Sequence, residues 1–129
     1  MRLLIDTHAL LWWSLGNERL PPVARALIED QSNSCFVSMA SIWEVAIKSS
    51  IGRGLPTGIT ASSYLGLISE AGFGTLDISI AHVIGVERLD HLHGDPFDRL
   101  MVAQAKAEGL VLLTHDKALA AYGDCVMLI

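Results

Sequence analysis

Gly109-Leu110-Val111-Leu112-Leu113-Thr114-His115-Asp116 decides the fold. Four consecutive apolar residues, with a helix-stopping glycine before them and polar residues after, show no in-and-out alternation. That pattern predicts a strand covered on both faces, as in the interior of a parallel sheet. Comparable runs of strand length stand at Arg2 to Ile5, Cys35 to Val37, Thr75 to Asp77 and Cys125 to Leu128, with helical patterns between them. Strands alternating with helices give an α/β fold of three layers, a mainly parallel five-stranded sheet flanked by helices. The helices carry their own punctuation. Pro21 and Pro22 open one, Ser38 and Thr60 suit the N-caps of two more, and Asp95-Pro96 is a cap followed by proline at the first helical position. Gly16 and Gly109 read as C-terminal stops.

No repeat, low-complexity tract or linker interrupts the chain, so residues 1–129 read as a single domain. A hydrophobic share of 51% excludes disorder, and 129 residues suffice to bury a core without disulfides. No apolar run approaches the ~20 residues needed to cross a bilayer, and the N-terminal apolar stretch is broken by Asp6 and His8. The expected setting is the cytoplasm, without a membrane. Cys35 and Cys125 lie in apolar strand-like runs and read as reduced, buried thiols. With 14 acidic against 9 basic residues, the net charge of −5 excludes the overall positive field of a dedicated nucleic-acid binder. Any such function rests on a local site.

Asp6 directly follows Leu3-Leu4-Ile5, and Asp116 follows Leu113 by three positions, so both carboxylates fall just beyond strand C-terminal ends. In open α/β sheets that edge is the ligand crevice. Glu44 falls in the helix after Cys35 to Val37, and Asp98 in the first turn of the helix opened by Asp95-Pro96. Each acid also has a plainer reading. Asp6, Asp95 and Asp116 suit helix caps, Glu44 pairs with Lys48 four residues on, and Asp98 complements a positive helix end. The set is more telling than its members. Two carboxylates ~5 Å apart repel by about 3 kcal/mol at an effective dielectric of 20, a large fraction of a typical stability of roughly 5–15 kcal/mol. A cation among them relieves this, and hard oxygen ligands favour Mg²⁺ or Mn²⁺ over zinc. Without these four acids the remaining charges nearly balance.

Taken in order, Leu3-Leu4-Ile5-Asp6-Thr7-His8-Ala9-Leu10-Leu11-Trp12, Ser41-Ile42-Trp43-Glu44, His93-Gly94-Asp95-Pro96-Phe97-Asp98-Arg99-Leu100 and Leu113-Thr114-His115-Asp116 resemble the PIN-domain ribonucleases, specifically the VapC-type toxins. The resemblance spans essentially the whole chain. It implies a PIN-like fold, with Asp6, Glu44, Asp98 and Asp116 as the catalytic acids of a metal-dependent endoribonuclease. These four acids would together hold Mg²⁺ or Mn²⁺, and Thr114 would support the site by hydrogen bonding; mechanistically, we read Asp6, Asp98 and Asp116 as binding the metal and Glu44 as orienting the attacking water. It further implies RNA as substrate and a small antitoxin, encoded alongside, on the active edge. Arg99, Lys48, Lys117 and Arg53 are the basic residues nearest these acids in sequence and are candidate phosphate contacts.

His91, His93 and His115 offer nitrogen ligands for a competing metal reading, but the helical phosphohydrolases built on a His-Asp pair do not share this strand pattern. His91 and His93 are expected to shape the loop before Asp95, and the role of His8 stays open. Trp12 and Trp13 point about 100° apart on a helix and cannot both face one core, which places one at an interface and favours a homodimer or a bound partner. Two other functions compete: a housekeeping RNA-processing nuclease of the same fold, and a non-catalytic doubly wound module that receives a phosphoryl group or binds a ligand. Against the latter, Asp6 has no acidic neighbour and no glycine-rich phosphate loop is present.

Overall fold

A computed structural model describes residues 1–129. The elements run β1 (Arg2–Ile5), α1 (Thr7–Ser14), α2 (Pro22–Glu29), β2 (Ser34–Ser38), α3 (Met39–Ile51), α4 (Ala61–Ala71), β3 (Gly74–Leu76), α5 (Ile80–Glu87), α6 (Pro96–Glu108), β4 (Val111–Thr114), a 3-10 helix (Lys117–Tyr122) and β5 (Val126–Leu128). The five strands form one sheet in the order β3-β2-β1-β4-β5, and all four pairings are parallel. The chain thus winds outward from β1 in one direction and returns to its other side with β4. The reversal lies between β1 and β4, where Leu4 pairs with Leu112 and Ile5 with Leu113.

Both faces of the sheet are covered, which explains the absence of alternation in its central strands. Leu3 and Ile5 of β1 and Leu113 of β4 pack with Leu10 of α1, Ala24 and Ile28 of α2, and Tyr64 and Ile68 of α4. Leu4 and Leu112, on the opposite face, pack with Met101, Val102 and Ala105 of α6. Each of these strand residues is fully buried. Burying such a side chain contributes about 1.5–3 kcal/mol, and a polar replacement on either face would open one of the two cores.

The caps fall where the sequence places them. Ser38 accepts from the Ala40 N–H, Thr60 and Ser63 form a reciprocal capping box, and Asp95 accepts from the N–H groups of Phe97 and Asp98. Gly109 ends α6 at φ +65°, a conformation that costs other residues about 1–2 kcal/mol. Strand limits shift by a residue. β3 begins at Gly74, one position earlier than expected, where it pairs with Phe36; a Cβ there would sit 2.8 Å from a ring carbon, which suits glycine. The free thiol of Cys35 is buried and that of Cys125 half-buried, and burial raises the pKa of both. No helix is long and apolar enough to cross a membrane.

Trp12 and Trp13 do diverge, but each finds a partner within the chain. Trp12 packs against His115 with ring centroids 4.6 Å apart, and Trp13 against Phe73 at 5.2 Å. Both rings are partly buried against these partners, so their divergence alone does not mark an interface. α1 ends at the rim of the sheet, where side chains from both flanks reach it.

Candidate active site

Asp6, Glu44, Asp98 and Asp116 line one cavity of about 180 Å³ that has no apolar residue in its wall. Thr7, His8, Lys48, Asp95 and His115 complete it. It opens at the C-terminal ends of β1 and β4, the point where the winding reverses, and this is where doubly wound sheets bind ligands.

Each acid is fixed by its own element. Asp6, 5% exposed, is both the N-cap of α1 and part of the cavity wall. Its Oδ1 accepts from the Ala9 N–H at 2.8 Å, and its Oδ2 accepts from Thr114 Oγ1 at 2.5 Å. The capping reading and the site reading of Asp6 are therefore compatible. Glu44 is 6% exposed, so it does not belong to a solvated helix face. Lys48 Nζ donates to its Oε2 at 2.8 Å, and Thr7 Oγ1 donates to its Oε1 at 2.7 Å. Because the Thr7 proton is committed to Glu44, its oxygen accepts from Ser41, whose oxygen in turn accepts from Tyr64. This relay of buried hydroxyls, all donating the same way, fixes the Glu44 carboxylate. Burial pushes the Tyr64 phenol well above its ordinary pKa, so it remains the donor at the head of the chain.

Asp98 projects from the first turn of α6 and carries the clearest electrostatic signal. Burial, reinforced by the charges of Asp95, Asp6 and Glu44, pushes its pKa up to about 7. Asp116 moves the other way despite partial burial, lowered by hydrogen bonds from His93 and the Ala118 N–H. His93 ties the two acids together. Its Nδ1 accepts from the Asp95 N–H at 3.0 Å, which leaves the proton on Nε2, 2.8 Å from Asp116 Oδ2 and 3.7 Å from Asp98 Oδ2. The tightest grouping of potential ligand atoms is thus His93, Asp98 and Asp116, all within 4.8 Å of one another. His93 does more than shape a loop; in the sequence it stood out as a loop residue before the Asp95 cap and as one nitrogen donor of a competing metal reading. Ser41 lies three positions before Glu44 on the same helix face, whereas Tyr64, from α4, had no sequence signal.

The basic candidates separate. Lys48 lines the cavity and pairs with Glu44, while Lys117 is exposed on the 3-10 helix and outside the cavity wall. Arg99, expected as a phosphate contact, is corrected. It is 8% exposed, and its guanidinium donates to the Asp90 and Val86 carbonyls and to Tyr122 Oη. One residue after Asp98 on a helix is a turn of about 100°, which carries it from the cavity into the second core.

A divalent cation suits this donor set. The cavity wall offers carboxylate oxygens and no thiolate, and its only lysine is held by Glu44. The high Asp98 pKa comes first from burial and then from the neighbouring Asp95, Asp6 and Glu44 charges, which a bound cation would offset.

A PIN domain model matches residues 3–124, and the chain belongs to the PIN domain family. Members are generally nucleases that use divalent metal ions. The fold is similar to that of a chain in VapBC2 from Rickettsia felis bound to a DNA fragment from their promoter, with 16% identity, a TM-score of 0.69, and coverage of 100% of this chain and 98% of that one. It is also similar to PAE2754 from Pyrobaculum aerophilum, with 19% identity, a TM-score of 0.57, and coverage of 98% and 82%. A domain of a functionally unknown protein from Methanocaldococcus jannaschii DSM 2661 matches at 17% identity and a TM-score of 0.57, covering 99% and 90%. At these identities the likeness is one of fold. No match is found among curated proteins.

Proposed function

We propose that this protein is a Mg²⁺- or Mn²⁺-dependent endoribonuclease, the toxin of a toxin–antitoxin pair, acting in the cytoplasm as a single-domain enzyme. The observation that carries the reading is the gathering of Asp6, Glu44, Asp98 and Asp116 around one cavity without apolar walls at the β1–β4 reversal. Asp6, Asp98 and Asp116 are assigned as metal-holding residues, and His93 hydrogen-bonds Asp116 and lies 3.7 Å from Asp98. When bound, the ion lowers the pKa of water and offsets charge on the phosphodiester. Glu44, aimed by the Tyr64–Ser41–Thr7 relay, accepts a hydrogen bond from the attacking water and sets its direction. Thr114 holds Asp6 in its orientation. Lys48 and Lys117 are the remaining candidates for phosphate contact.

The toxin reading over a housekeeping nuclease is supported by the motif resemblance to VapC-type toxins and by the fold likeness to VapBC2. An antitoxin or a second copy of the chain also needs a docking surface. Exposed Met39, Trp43, Ile47 and Ile51 recur every four residues along α3, beside Glu44, and Ile80, Val83 and Ile84 are exposed on α5. Homodimer assembly and an antitoxin partner are both part of this proposal.

Purified, partner-free protein incubated with total RNA is expected to cleave it with Mg²⁺ or Mn²⁺ and to stop when a chelator is added. Metal-supplemented protein that leaves RNA intact, or cleavage that survives chelation, overturns the reading.

A further inference from the structure

The rings of His8, Trp12 and His115 form an aromatic cluster at the wall of the acidic cavity. Trp12 and His115 have centroids 4.6 Å apart at 57°, His8 and His115 are 5.5 Å apart at 72°, and His8 and Trp12 are 6.1 Å apart. His8 and Trp12 are one turn apart on α1 and share a face. His115 arrives from the turn after β4, its Nδ1 3.8 Å from Asp6 Oδ2, and its side chain is 39% exposed. The core does not require so exposed a ring, and the acid set already has its supports without these three.

The cluster leads somewhere. His8 borders both the acidic cavity and a second hollow of about 340 Å³, lined also by Trp12, Arg19, Leu55 and Pro56. Leu55 and Pro56 carry this hollow into a third, where Arg53 and Lys48 stand, and Lys48 returns to the acidic cavity. Arg19 and Arg53 are exposed, and neither has an acidic partner within salt-bridge distance. A centre of clustered carboxylates repels a phosphodiester backbone, so a polymer substrate must draw its affinity from beside the centre. Aromatic faces next to a basic groove supply it for an unpaired strand, because every base has a face to stack and every linkage a charge to hold.

We propose that Trp12 and His115, backed by His8, stack an unpaired base next to the scissile phosphate, and that the strand leaves along the groove of Arg19, Arg53 and Lys48. This rests on the nuclease reading and deepens it, by naming these rings as positioning residues for a base beside the cut. A base still paired in a duplex has no free face for the cluster.

The test is single-turnover cleavage of a labelled single-stranded oligoribonucleotide in Mn²⁺, with half-saturation and saturated rate read separately. Stacking on a protein ring contributes ~1–3 kcal/mol per base, so His115→Ala and Trp12→Leu are expected to raise the half-saturating concentration roughly 10-fold. The saturated rate of Trp12→Leu should stay near wild type, and His115→Phe and Trp12→Phe should restore binding. An abasic nucleotide placed beside the cut should weaken wild type by a similar factor and cost Trp12→Leu little more, a coupling that a merely structural role would not produce. The exposed His115 keeps the test open if Trp12→Leu folds poorly. Wild type that cuts RNA while His115→Ala saturates as wild type does, or that cuts duplex as readily as single strand, overturns the platform alone. Wild type that cuts no RNA overturns the nuclease reading and the platform with it.

Discussion

Thr114 Oγ1 donates to Asp6 Oδ2 at 2.5 Å while accepting from the Asp116 N–H at 3.1 Å, so one fully buried hydroxyl joins two acids that are 110 residues apart in sequence. The bond crosses from the end of β4 to the residue after β1, at the reversal of the sheet. Thr114→Val keeps the shape and removes the hydroxyl. It leaves the Asp116 N–H without its acceptor and Asp6 Oδ2 without its donor, which should cost about 1–3 kcal/mol in denaturant unfolding. RNA cleavage should fall with it. Thr114→Ser should retain most of both. A valine variant with full stability and full cleavage would remove Thr114 from the site.

Metal and pH are linked through Asp98. Its pKa of about 7 in the folded chain lies above the ordinary 3.8, so the folded state holds a proton that the unfolded state has lost. Its contribution is therefore most favourable at low pH and declines as pH rises from about 4 to about 7. His115, raised chiefly by the Asp6 carboxylate 3.8 Å from its Nδ1, acts in the same direction: its contribution is present below 6.5 and lost as pH rises through the folded value. His8, lowered by burial, opposes them, and Asp116, lowered, acts below 3.8. The Asp98 shift is the large one in this range, so the metal-free protein should lose Tm as pH rises from about 4 to about 7. Metal binding requires the ionised carboxylate and should release a proton, so the Mn²⁺-induced rise in Tm should grow across the same interval. Equal Mn²⁺ shifts at pH 5.5 and 7.5 would separate Asp98 from the metal.

Arg99 should behave as a structural residue. Removing its guanidinium takes one donor each from the Asp90 and Val86 carbonyls and from Tyr122 Oη, which keep their other partners, and empties a buried space, so Arg99→Ala is expected to lose roughly 1–3 kcal/mol of stability. At temperatures where the variant is folded, the salt dependence of RNA binding should match wild type, because no phosphate contact has gone. A flattened salt slope with stability intact would return Arg99 to the substrate.

The sheet was legible because its strands carry two local signals at once, an unbroken apolar run and polar punctuation after it. Leu3-Leu4-Ile5-Asp6 and Leu112-Leu113-Thr114 show both, and those strands end where the acids begin. The α5 segment Ile80–Glu87 gave no such signal: it exposes Ile80, Val83 and Ile84, so its apolar residues do not mark one buried face. The acids were legible by position, but their supports were not. Tyr64 and Ser41 meet through the packing of α3 on α4, a tertiary contact with no trace in spacing. Arg99 misled because nearness to Asp98 in sequence says nothing about the 100° between successive helical side chains.

Asp95 and Asp98 lie three residues apart, and the structure gives them different work. Asp95 Oδ1 accepts from the N–H groups of Phe97 and Asp98 at 2.8 and 3.1 Å, the bonds of an N-cap with Pro96 at the first helical position. Asp98 makes no capping bond and faces the cavity with Asp6 and Asp116. Asn caps about as well as Asp, so Asp95→Asn should keep stability and most cleavage, while Asp95→Ala should lose about 0.5–2 kcal/mol. Asp95→Asn also removes a charge that raises the Asp98 pKa, so the pH at which cleavage sets in should move downward. Asp98→Asn should abolish cleavage and blunt the Mn²⁺-induced rise in Tm, yet leave the metal-free protein at pH 7.5 as stable as wild type or more so, since the carboxylate it replaces is opposed by three others. Thermal unfolding with and without Mn²⁺, set beside cleavage of one RNA, separates the two residues. An inactive Asp95→Asn beside an active Asp98→Asn would exchange their roles.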